Sequence, residues 1–143
     1  MRFVFLPFFM LKLSCYPGSA ETVLREYVRG AFLAAHNSHR KQLPEVEWNL
    51  DISARANKDA LSLSGVCWIN DNSVGGKSNV AQVWGSRGYT PKQVVSLWMR
   101  QDESKKVILK EKHVIIGCGY VPCIDASSWS RSVIYVCHYE TKG

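Results

Sequence analysis

The sequence predicts an α+β fold in three layers, an α-β-α sandwich with helices on both faces of a disulfide-braced sheet. Three observations lead there. First, residues 107–139 read as two apolar strands carrying three of the chain's five cysteines. Second, the later strand is apolar on both sides: Val133, Tyr135, Cys137 and Tyr139 alternate with Ile134, Val136 and His138, so both faces need cover. Third, helical periodicity recurs three times ahead of these strands.

The first residues stand apart from this pattern. Arg2, an apolar run over residues 3–11 and the small residues Gly18, Ser19 and Ala20 read as a secretory signal over residues 1–20, cut after Ala20. The run is too short to span a bilayer as a helix. A single domain of residues 21–143 remains, long enough to bury a core of its own. Loss of Arg2 and Lys12 lowers the 18 basic residues to 16, against 12 acidic ones, a net charge of +4. No basic cluster is interleaved with aromatic residues, so nucleic acid is not an expected partner. Loss of Cys15 leaves Cys67, Cys118, Cys123 and Cys137, an even number that suits two disulfides in an exported chain. Spacing alone does not rank the three possible pairings. A Cys118 to Cys137 bridge would tie the sheet, and a Cys67 to Cys123 bridge would fasten the middle of the chain to it.

The first helix is expected over residues 21–38, where Leu24, Val28, Ala31, Phe32 and Ala35 fall on one face. The second follows Asn49 as N-cap, has Asp51 in its first turn, buries Ile52, Ala56, Ala60 and Leu63, and ends at Gly65. A connection rich in Gly, Ser and Asn covers residues 67–78. The third helix has the clearest start: Thr90 as N-cap, Pro91 at the first helical position and Gln93 completing a capping box, with Val94, Val95 and Trp98 facing inward. One strand is then expected from Val107 to a turn at Gly117, Cys118 and Gly119, with Lys105, Lys106, Lys110 and Lys112 protecting a sheet edge. The other covers residues 132–139.

Few residues read as chemistry. His36 and His39 are three apart and could meet one metal, yet the expected arrangement has His36 facing the sheet, His39 facing solvent and Arg40 fixing the helix end. Serines are plentiful, but no Gly-x-Ser-x-Gly elbow surrounds any of them. Gly75, Gly76, Lys77 and Ser78 lack the leading glycine of a phosphate-binding loop.

Taken in order, several segments resemble the CAP superfamily, also called the SCP domain, which includes cysteine-rich secretory, venom-allergen and plant pathogenesis-related proteins. They are Ala35 to Arg40, Leu43 and Pro44, Trp48 to Leu50 with Ala54, Ala56 and Ala60, Ser78 to Ala81, Trp98, Gly117 to Gly119, and Tyr135 to Tyr139. The resemblance implies the α-β-α sandwich and the pairings Cys67 to Cys123 and Cys118 to Cys137. It also implies a cleft where two histidines and two glutamates can hold a divalent metal. Carried over by position, those four fall on Asp71, Ser78, Gln101 and Ser104, none of which is the family's residue. Hydroxyl and amide groups are weak substitutes for imidazole, so no metal, cofactor or catalytic residue is expected.

The resulting expectation is a secreted, monomeric, non-catalytic binding module with an unidentified protein or lipid partner. A lipid or sterol carrier is the alternative, with Trp68, Trp84, Tyr89 and Trp129 as candidate contacts for an apolar ligand or partner. A metal-dependent hydrolase is the weaker third.

Overall fold

The structure is a computed structural model that describes residues 17–65, 67, 77–85, 90–125 and 130–142. The chain divides into two compact units, residues 1–30 and 31–143. Helix α1, Pro17–Ser38, starts in the first and ends in the second. It begins four residues before the expected start, so the expected signal cut after Ala20 falls within it.

The second unit contains the sheet. After α1 come β1 (Glu47–Trp48), α2 (Leu50–Ser64), β2 (Ser78–Trp84), α3 (Pro91–Trp98), α4 (Asp102–Ile108), β3 (Val114–Asp125) and β4 (Ser130–Thr141). The strand order is β1-β3-β4-β2, with β1 parallel to β3 and the other pairs antiparallel. Helix α2 lies on one face, where Ala56 and Ala60 pack with Cys123, Ile134 and Val136. On the other face the end of α1 brings Phe32 against Tyr135 and His36 against Tyr139. There Trp98 of α3 donates its indole N–H to the Val80 carbonyl (3.1 Å) on edge strand β2. These are the three expected layers, and both implied disulfides are formed, Cys67–Cys123 and Cys118–Cys137.

The start signals act as read. Asn49 accepts the Ile52 N–H, and Thr90 and Gln93 form the reciprocal capping box. Three expectations are corrected. Val107 and Ile108 close helix α4 instead of opening a strand. Asp102 and Glu103 in the first turn of α4, and Lys105 and Lys106 in its last, complement the helix dipole, and a short apolar run does not by itself distinguish helix from strand. The lysines therefore protect no sheet edge. Nor does the strand turn at Gly117 and Gly119, which lie inside β3 where α2 passes close by. A Cβ on Gly117 would stand 2.1 Å from the Ser53 backbone nitrogen, and one on Gly119 would stand 2.5 Å from the Asn57 Cα.

Arg40 is the third correction. Its buried guanidinium does not fix the helix end but donates to the carbonyls of Pro44 (2.7 Å), Ile108 (2.8 Å) and Lys110 (2.7 Å). A planar fork of N–H groups suits this task, and it holds the approach to β3 in place.

Candidate functional site

Strand alternation separates two polar centres at the end of the β2–β4 pair. In that register Ser78 lies opposite His138 and Asn79 opposite Cys137. Ser78 and His138 therefore turn toward the α2 face, and Asn79 and Tyr139 toward the other.

On the α1 side the groups are sealed. His36 is fully buried; its Nδ1 lies 2.8 Å from the Phe32 carbonyl and its Nε2 2.7 Å from the Tyr139 hydroxyl. A carbonyl only accepts, so Nδ1 carries the proton and Nε2 accepts from Tyr139. Asn79 donates to the same hydroxyl and to the Ser104 carbonyl, 3.2 Å each. Every member has a partner, and burial pushes the His36 pKa down to about 4. Burial likewise raises the Tyr139 phenol, against a smaller opposing effect of the Asn79 hydrogen bond. His39 is exposed, so the two histidines do not converge. This polar core holds the end of α1 to β4.

The α2 side is open. His138 Nε2 lies 2.6 Å from Asp59 Oδ2, and its Nδ1 hydrogen-bonds Ser78 Oγ. The carboxylate accepts from Nε2–H, which in the neutral ring leaves the Nδ1 lone pair for the serine hydroxyl. Serine, imidazole and carboxylate thus form a line contributed by β2, β4 and α2. They line an open depression of about 810 Å³ together with Arg55, Lys58, Lys77, Tyr139, Glu140 and Thr141. Arg55, Lys58 and Asp59 stand three and four residues apart on α2, which brings all three to one side of the helix. Arg55 pairs with Glu140 (2.5 Å). Among the described residues no carboxylate pairs with Lys58 or Lys77, and with Arg55 set against Glu140 these two outweigh the Asp59 carboxylate and leave the lining an excess of positive charge.

Of the four positions taken from the family cleft, Asp71 lies outside the described residues. Gln101 precedes α4 and accepts from the Ser104 hydroxyl (3.2 Å), while Ser78 bonds instead to His138. Among the aromatic candidates, Trp68, Tyr89 and Trp129 lie outside the described residues, and Trp84 is 47% exposed at the end of β2. The sequence reading missed Asp59 and His138 as functional groups. One signal was available, a lone imidazole on an otherwise apolar strand face. Its carboxylate partner is 79 residues away in sequence, and only the packing of α2 on the sheet brings them together.

Residues 33–139 match the family model described as the cysteine-rich secretory protein family, CAP. No curated protein sequence matches the chain. Among solved structures, the crystal structure of MpPR-1i is similar at 20% identity and a TM-score of 0.63, over 82% of this chain and 90% of that one. An outer surface protein from Borrelia burgdorferi is similar at 13% identity and a TM-score of 0.54, over 81% of this chain and 94% of that one. Identities this low speak for a shared fold and nothing further. The family match, the sandwich and the two disulfides agree: the chain belongs to the CAP family of cysteine-rich secretory proteins.

Proposed function

We propose that this chain is an extracellular binding module that works without a metal, recognising an anionic group of its partner in the depression beside Lys58 and Lys77. The observation carrying the reading is the pair of ammonium groups left without carboxylate partners, among the described residues, around an open hollow. Disulfide-braced scaffolds that present polar surface to partners suit an exported chain, and export with a cut after Ala20 is part of the proposal.

The described residues at the family's metal positions do not fit a zinc-type site. The Ser78 hydroxyl is bonded to imidazole and the Gln101 amide oxygen to a hydroxyl, neither being a good ligand for that ion. A carrier of apolar ligands finds less support, since charged side chains and hydroxyls line the depression and Trp84 is exposed on edge strand β2, outside that lining.

A fluorescent hexaglutamate peptide titrated into the exported protein tests the reading, once N-terminal sequencing has located the cut. Binding is expected to weaken at least about tenfold in a Lys58→Glu, Lys77→Glu double variant, to fall with added salt and to be indifferent to EDTA. Equal affinity in the double variant, or loss of binding with EDTA, would overturn it.

A further inference from the structure

We propose that Ser78, His138 and Asp59 form an acyl-transfer site, with Ser78 as nucleophile toward esters whose acyl part carries a carboxylate. The substrate class rests on the anion-recognising reading above; the chemistry rests on the hydrogen-bonded line. Partners 60 and 79 residues apart in sequence converge there. A nucleophile bonded to a base, and a base bonded to a carboxylate that orients it, is the arrangement acyl transfer needs, and it is recognised by geometry on unrelated folds. His36 makes a useful contrast. Its two bonds also satisfy both nitrogens, but they close inside the core, whereas the line through His138 ends at a hydroxyl lining an open depression.

Each group has a defined task. Asp59 accepts Nε2–H and so holds the tautomer whose Nδ1 takes a proton. The ring is turned relative to the familiar serine proteases, in which Nε2 faces the serine, but the proton follows the same path. Ser78 Oγ attacks the ester carbonyl carbon and its proton passes to Nδ1. The tetrahedral intermediate collapses, the carbon–oxygen bond to the alcohol breaks, and His138 returns the proton to the leaving alkoxide. Water then attacks the acyl-serine with His138 again as base, which releases the carboxylic acid and restores Ser78. Lys58 and Lys77 line the same depression, where they attract the substrate's carboxylate and favour negative charge developing on the carbonyl oxygen. No metal or redox partner is needed.

The test uses the full exported protein and a fluorophosphonate probe, which transfers phosphorus to an activated serine with loss of fluoride. Peptide mapping is expected to place one adduct on Ser78, and His138→Gln is expected to slow its formation by about 10² or more. The mapping is done on the unaltered chain, so it does not depend on any variant folding. Para-nitrophenyl hemisuccinate is expected to give a higher kcat/KM than para-nitrophenyl butyrate, and Asp59→Asn to lower kcat by about tenfold or more. No adduct, or an adduct on another residue, would overturn the inference. Hexaglutamate binding that persists without a Ser78 adduct would overturn it while leaving the binding module standing. Equal kcat/KM for the two esters would overturn the substrate class.

Discussion

His36 illustrates what a residue can disclose before its fold is known. Near the end of the first helix it is expected to face the sheet, and the structure buries it completely against Tyr139. The consequence for acid stability has a definite sign. The unfolded imidazole takes a proton near 6.5, while burial in the fold, with smaller effects from His39 and Arg40, holds the group to about 4 despite its bond to Phe32. Between those values the unfolded chain binds more protons, so stability falls as pH drops from 6.5 toward 4 and the loss is complete below that. The loss amounts to about 3 kcal/mol, at 1.36 kcal/mol per unit. Urea unfolding at several pH values should show this decline, and a His36→Gln variant, less stable at neutral pH, should show a shallower one. Equal slopes in the two proteins would mean that other groups carry the acid sensitivity. His138 could not be read in the same way, because Asp59 reaches it only through packing.

Among the elements, helices with sharp chemical starts were legible and strands defined by their neighbours were not. Asn49 and Thr90 mark their helices with one side chain each. β2 mixes Asn79 and Gln82 with Val80 and Val83, and nothing local distinguishes it from the connection before it. The pairing with β4 makes it a strand. Gly117 and Gly119 resemble turn residues in the sequence, yet their lack of a side chain serves the contact between β3 and α2. Ala56 and Ala60 are small for the same contact, and the short separation of helix and sheet also brings Asp59 to His138. Gly117→Ala should therefore destabilise by about 3 kcal/mol or more, since backbone and not a flexible side chain occupies the space. Gly30→Ala is the control; an added Cβ there meets nothing within 4 Å. It should be neutral or slightly stabilising, because alanine favours a helix interior. Thermal unfolding of the two variants decides the matter, and equal midpoints would show that α2 can move away from β3 at little cost.

At the scale of the whole molecule the two disulfides have different work, and their removal separates stability from the integrity of the site. Cys118 and Cys137 are directly opposed on β3 and β4, Cα atoms 4.1 Å apart, in a pair already held by the ladder. Cys67 and Cys123 join the chain just past α2 to β3, Cα atoms 5.6 Å apart, and no ladder hydrogen bonds hold α2 there. Loop closure favours the second bridge as well. With sequence separations of 19 and 56, the chain-entropy relation gives about 3 and about 4 kcal/mol. The geometry adds a distinction that entropy does not make. Asp59 and Lys58 lie on α2, so its anchorage controls whether they stay over Ser78 and His138. A Cys67→Ala, Cys123→Ala variant should lower the thermal midpoint more than a Cys118→Ala, Cys137→Ala variant. At a temperature where both remain folded, it should also be the one that loses hexaglutamate affinity. Calorimetric scans beside peptide titrations measure both quantities. If removing Cys118 and Cys137 weakened binding as much as removing the other pair, the anchorage of α2 would not be what keeps the depression in shape, and the ladder between β3 and β4 would have to be.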